Sequence, residues 1–249
     1  HIQPRFRENE SLEVRIAAYW GLVTIGLTES NSEKFWQEAW GGLELLTASP
    51  TDFQSNLVGQ VRPTSDARAI ALLSSGMESP DLSTRNMCVL FLRPSHDSKT
   101  VSDALCQVLL HDESPVVRHS AARALGGTTS PNTLQALRTA IEADGTEEVR
   151  IEGIRSLASV VSAENTRFLV DRFRTSSSVG EQRAIVVGLA RADSYDVRDF
   201  LRTLVTGNHA VCIKSDALDA LSLRRSDPVA TNEVVGALSS GDAFIRMKA

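Results

Sequence analysis

The chain has 249 residues, 42% of them hydrophobic and 23% charged, a globular composition that excludes wholesale disorder. Its 26 basic residues comprise 22 Arg and four Lys, yet 31 acids leave a net charge of −5, which sets it apart from general nucleic-acid binders and their basic excess. Aromatics make up 5%, and all three Trp (Trp20, Trp36, Trp40) fall in the first forty residues, so the remaining core must be aliphatic.

Taken along the chain, apolar residues recur with helical spacing. The first helix carries Val14, Arg15, Ala18, Tyr19 and Leu22. An aromatic stretch follows with Phe35, Trp36, Trp40 and Leu43, then Gln54 with Leu57, Val58 and Val61 after it. Asp66 to Ser75 is expected to be a helix, and the next is anchored at Arg85 with Cys88, Val89 and Leu92.

From there the pattern becomes regular. Arg118, Arg150, Gln182, Lys214 and Arg246 are each 32 residues apart, and Leu125, Leu157, Leu189 and Leu221 stand seven residues after the first four. With each polar anchor as position 0, the apolar positions −1, +3, +4 and +7 form one helical face. This is helix B. Upstream of it, Leu105, Leu137, Leu169 and Leu201, and one turn later Leu109, Ile141, Phe173 and Val205, mark a helix A in the same register.

The turns repeat too. Asp112, Asp144, Ser176, Asn208 and Ser240 at −6 are turn formers, and Ser114, Thr146, Ser178 and Asp242 at −4 are expected to cap the B helices. Pro115 suits the first helical position, and Ser178 with Glu181 reads as a capping box.

Neither helix of a pair can bury its stripe alone, so successive pairs must stack. The expected fold is all-α, an α-solenoid of antiparallel helix pairs repeating about every 32 residues. It runs as one solenoid over 1–249, with divergent repeats in 1–96 and regular ones in 97–249. No helix A precedes Arg15 and only Met247, Lys248 and Ala249 follow Arg246, so the chain is expected to be an excerpt of a longer one.

The segment Asp112-Glu-Ser-Pro-Val-Val-Arg118-His-Ser-Ala-Ala-Arg-Ala-Leu125-Gly126 closely resembles a HEAT repeat, most like the short type also found in phycobilin lyases. The likeness is good again at Glu147 to Leu157 and looser in the units anchored at Gln182 and Lys214. The resemblance implies an α-solenoid and a bias toward protein–protein scaffolding; fold alone does not specify activity. It also implies that the B helices line the concave side, with positions +1 and +5 facing the groove.

The anchors Arg15, Arg85, Arg118, Arg150, Lys214 and Arg246 read as architectural. A cation in the first helical turn opposes the macrodipole and needs a carboxylate or carbonyl nearby; Asp112 and Asp144 are candidates. Gln182 interrupts that charge ladder, which marks Ser176 to Gln182 as a soft junction. The partner-binding candidates are His119, Arg123, Arg155 and Arg183, a central basic patch suited to an acidic segment of a protein partner. Against it stands intramolecular pairing, for example of Arg155 with Glu152.

Catalytic patterns are absent. His96-Asp97 and His111-Asp112 fall in turns without the further ligands of a metal phosphohydrolase, and His111 with His119 lacks a placed carboxylate pair. There is no His-Glu pair of the kind used by HEAT-like di-iron hydroxylases, and no phosphate-binding loop or nucleophile elbow. Trp36 and Trp40, one helical turn apart, suit a core better than a base-stacking platform. The three cysteines, Cys88, Cys106 and Cys212, are dispersed among apolar residues, which argues against disulfides or zinc. No run reaches membrane-spanning length.

The function expected is therefore that of a non-catalytic scaffold, intracellular and cytoplasmic, needing no cofactor, metal or nucleic acid. The alternatives are the sensor solenoid of a multidomain enzyme, such as a signalling NTPase with its catalytic domain elsewhere, and a phycobilin-lyase-like chaperone.

Overall fold

The computed structural model describes residues 82–192, 194–223, 228–237 and 243–248, with short stretches at 70, 73–74, 76–80, 239 and 241. Arg15, Gln54, the three Trp and the helices expected around them lie outside the described residues, as does Asp242. All regular structure among the described residues is helical. Packing divides the chain into two units, His1–Val101 and Ser102–Ala249.

In the first unit, α1 (Leu82–Leu92) runs into a 3-10 turn at Arg93–Ser95. Cys88, Val89 and Leu92 are buried, the +3, +4 and +7 face of the Arg85 anchor. The Arg85 guanidinium is itself buried and donates to the Ser79 carbonyl at 2.9 Å and the Pro80 carbonyl at 3.2 Å.

The following helices are α2 (Lys99–His111), α3 (Pro115–Ala124), α4 (Pro131–Ala143), α5 (Glu147–Ala158), α6 (Ala163–Thr175), α7 (Val179–Leu189), α8 (Tyr195–Thr206), α9 (Val211–Ser222), α10 (Pro228–Ala237) and α11 (Ala243–Lys248). Even numbers are A helices and odd numbers from α3 are B helices. In the second unit the B helices form a continuous column, with α5 packed between α3 and α7, and α9 between α7 and α11. Each also meets the A helix of its pair: α4 with α5, α6 with α7, α8 with α9.

Burial follows the repeat. Val117, Val149 and Ile213 at −1, and Leu125, Leu157, Leu189 and Leu221 at +7, are all buried, as are Leu105, Leu137, Leu169 and Leu201 of the A helices. Each such leucine, removed from water, contributes on the order of 1.5–3 kcal/mol. Positions +2 and +6, which the single-helix periodicity leaves unassigned, are also largely buried: Glu152 and Ala184 at +2, Ala124, Ser156 and Ala220 at +6. They face the neighbouring B helices.

The expected caps are corrected in part. Ser178 accepts from the Glu181 N–H, but Ser114 and Thr146 make no side-chain capping bond. The turn is held instead from position −6. Asp112 Oδ1 accepts from the Ser114 N–H and Asp144 Oδ1 from the Thr146 N–H, both at 2.8 Å, and Ser176 Oγ takes the same role for Ser178 at 3.2 Å. A turn residue that binds the backbone two positions on sets the direction of the next helix without a side-chain cap. After α3 the chain reverses at Gly127, whose φ of +90° lies where a Cβ would be strained.

Candidate partner-binding face

The anchors point toward the turns, and their geometry repeats. Arg118 donates to the Asp112 carbonyl at 2.8 Å and Arg150 to the Asp144 carbonyl at 2.7 Å. Gln182 places its amide on the Ser176 carbonyl at 2.9 Å. In these three units the bond spans six residues, so it closes the A-to-B turn from inside, and a glutamine performs it as well as an arginine; Lys214 makes no such side-chain bond among the described residues.

The remaining guanidinium nitrogens reach the next unit. Arg118 grips Asp144 through Nε at 2.7 Å and Nη2 at 3.0 Å. Arg150 meets not a −6 carboxylate, since that residue is Ser176, but Glu181 at 2.6 Å. Glu181 also accepts from Arg172 at 2.7 and 3.0 Å and from Ser176 Oγ at 2.8 Å, and it is 1% exposed. The Ser176–Gln182 segment, expected to be soft, thus holds a buried, multiply bonded carboxylate. Glu181 stands at −1, an apolar position elsewhere, and its side chain turns to the arginines instead of completing a capping box.

Burial alone would raise both carboxyls. The bonds from Arg118 and the Thr146 N–H, with the Arg118 and Arg150 charges, nevertheless hold Asp144 below the usual carboxylate range. Arg150, Ser176 and Arg172 do the same for Glu181.

The candidate groove residues lie on the other side of the B helices. At +5, Arg123, Arg155, Val187 and Asp219 are all exposed. At +1, His119 and Ile151 are half-buried and Arg183 is exposed, while Ser215 is buried. A second set of rungs joins +1 of one unit to +2 of the next. His119 Nε2 lies 3.7 Å from Glu152, and Arg183 grips Asp216 at 2.7 and 3.2 Å. Between these pairs the equivalent positions are Ile151 and Ala184. Arg155 donates to Glu152 at 3.2 Å while remaining 63% exposed. Arg123 has no side-chain partner among the described residues. The structure therefore joins His119 and Arg155 through one shared carboxylate and holds Arg183 in a separate pair. Lys214 is half-buried and Arg246 exposed.

Between α5 and α7 this face opens into a cleft of about 470 Å³. Ile151, Arg155, Ala158, Gly180, Arg183, Val187, Gly188, Arg191 and Asp216 are among its lining. Arg191 was not among the expected site residues; it lies just beyond the end of α7, outside the helical register. Asp216 and the contact of Glu152 with His119 are additional to the sequence reading, as is the role of Glu181 as a shared acceptor for arginines; the signal is an acidic residue at +2 or −1 of a repeat.

The histidine–aspartate dipeptides are held locally. His96 Nδ1 donates to the Arg93 carbonyl at 2.7 Å and Asp112 serves its turn. Among the described residues, no three His, Cys, Asp or Glu side chains gather so as to hold a metal ion, and no helix is long and apolar enough to cross a membrane. Cys88 and Cys106 are buried and Cys212 half-buried. Burial pushes the Cys88 thiol up to about 12, which keeps it protonated and unreactive at neutral pH.

Stacked helix pairs with B packed on B, and anchors at Arg85, Arg118, Arg150 and Gln182 that close their turns, define an α-solenoid. Residues 102–179 match the family model for HEAT repeats. No curated protein matches the chain. Among solved structures it is similar to human deoxyhypusine hydroxylase in complex with glycerol, at 14% identity and TM-score 0.41, covering 95% of this chain and 94% of that one. It is also similar to an engineered protein, at 17% identity and TM-score 0.46, covering 95% of this chain and 66% of the other. Likenesses this distant bear on neither activity nor ligand.

Proposed function

We propose that the chain is a non-catalytic HEAT-repeat scaffold that holds an acidic segment of another protein against the exposed face of its B helices. The observation that carries this reading is the division of labour among the arginines. Arg118 and Arg150 at the anchor position spend their donors on turns and neighbouring units, whereas Arg123 and Arg155, at +5 of successive B helices, stay exposed with most donors available. Guanidinium forks in that setting suit carboxylates, and the chain's overall acidity makes a local basic row selective against polyanions at large. The test is affinity capture with wild type and with Arg123→Glu plus Arg155→Glu, after circular dichroism shows equal helicity and Tm. The reversal is expected to lose a discrete set of captured proteins. An unchanged set overturns the reading.

A further inference from the structure

We infer that the α5/α7 cleft receives an extended segment presenting one aliphatic side chain flanked by carboxylates; this deepens the partner-binding reading and rests on it. At this junction the +1 and +2 positions are Ile151 and Ala184, so no polar side-chain pair covers the face as His119 with Glu152 and Arg183 with Asp216 do on either side. The helices also approach closely. A Cβ on Gly180 would lie 2.6 Å from Glu147 Oε1 and 3.1 Å from Ile151 Cδ1, and one on Gly188 would lie 2.6 Å from the Ala158 Cβ. That closeness keeps the floor shallow and makes it of Ile151, Ala158 and Val187, the last 59% exposed.

Around this floor stand three guanidiniums and one lining carboxylate, Asp216, with Glu152 behind Arg155 and Glu147 beside Gly180, so Arg191 is the cation without a paired acid among the described residues. Arg183 spends Nε and Nη2 on Asp216, leaving Nη1. Arg155 spends only Nη1, on Glu152. Arg191 is exposed and makes no hydrogen bond or ion pair among the described residues. A purely acidic ligand would leave the aliphatic floor wet, and a purely apolar one would leave Arg191 and the spare donors of Arg155 and Arg183 without an acceptor. An acidic–aliphatic segment satisfies both, in a cavity of ligand-binding size. Nucleic-acid phosphates would meet the same arginines, but the lining holds no aromatic ring on which a base could stack.

The experiment uses the full chain and fluorescence anisotropy at about 0.15 M salt, where exposed charges are screened beyond about 8 Å. The probes are a short blocked peptide containing Glu-Leu-Glu-Glu, its Leu→Ser and Glu→Gln counterparts, and a single-stranded oligonucleotide of matching length. Only the first is expected to bind well, with each counterpart about tenfold weaker. Arg191→Glu should weaken it about tenfold and Val187→Ser about threefold, both at exposed positions where Tm is unaffected. Equal binding of the Leu→Ser peptide, tighter binding of the oligonucleotide, or indifference to Arg191→Glu would each overturn the inference. Should Arg191→Glu and Val187→Ser keep the natural partner while Arg123→Glu plus Arg155→Glu loses it, the cleft is wrong and the scaffold reading stands.

Discussion

The α5/α7 and α7/α9 junctions join B helices in the same register but carry their charge on opposite sides. At α5/α7 the ionic contact is at the turn side, where Arg150 and Arg172 converge on buried Glu181, and the front is apolar. At α7/α9 the anchor is Gln182, which binds only carbonyls of its own unit, at Ser176 and more distantly Phe173, while the front carries the half-exposed pair Arg183–Asp216. The register of a repeat can thus be held by charge at either end of the junction. The front of α5/α7 is open because Ile151 and Ala184 stand there; α3/α5, with Arg118–Asp144 at the back and His119–Glu152 in front, carries polar pairs on both sides. Exposed pairs contribute little and buried ones depend on completeness, so the two junctions should respond very differently to substitution.

The largest effect is expected at Glu181. Glu181→Val restores the residue type of the neighbouring repeats but leaves Arg150 and Arg172, both about one-fifth exposed, facing each other without a carboxylate. A loss of about 3 kcal/mol follows from breaking a buried pair on one side, read from urea unfolding. Ser176 stands where Asp144 stands one unit earlier, so adding Ser176→Asp to Glu181→Val should recover at least half of the loss. A double variant no better than the single one would show that Glu181 does not replace the missing turn aspartate.

Acid sharpens the same contrast. Asp144 and Glu181 both have carboxyls lowered in the folded state. Their stabilisation is therefore complete above the unfolded carboxylate value, about 4, and is lost as pH falls through the lower folded values. Wild type should show a steep loss of stability on the acid side of about pH 4. Asp144→Asn plus Glu181→Gln, less stable at neutral pH, should show a shallower one. Parallel acid limbs would mean that neither carboxylate is held by its arginines.

Much of this architecture could be read from the amino acids. The leucines at +7 and the aliphatics at −1 have one role in every unit, which is to fill the space between the two helices of a pair, and a periodicity within one helix suffices to find them. The contacts between B helices escape that test because they involve +2, where Ser120, Glu152, Ala184 and Asp216 share no residue type, and +6, where Ala124, Ser156, Gly188 and Ala220 are uniformly small but not an apolar stripe. Glu181 reads from the sequence as the capping-box partner of Ser178, although its position is apolar in the neighbouring units. The clue was two departures in one unit, an aspartate lost at −6 and an acid gained at −1. On the candidate face, Arg123, Arg155 and Arg183 follow from their register, and the Arg155–Glu152 pair from i, i+3 spacing. Arg191 has no register position, and Asp216 is intelligible only with Arg183 beside it.

The smallest expected effect comes from giving α7/α9 the rung it lacks. Gln182→Arg alone should change stability by no more than about 0.5 kcal/mol. The new guanidinium can still bind the Ser176 carbonyl, but position −6 of the next unit is Asn208 and position −1 is Ile213, so its other donors find no acid. Adding Asn208→Asp supplies a carboxylate in the position that Asp144 occupies for Arg118. Because Asn208 is exposed, the gain over the sum of the single changes should be about 1 kcal/mol or less, measured by a double-mutant cycle. A coupling of zero would indicate that the Arg183–Asp216 pair already sets this register, so that a rung at the back adds nothing. A coupling above that of an exposed pair would place the turn at Asn208 closer to α7 than the front pair alone requires.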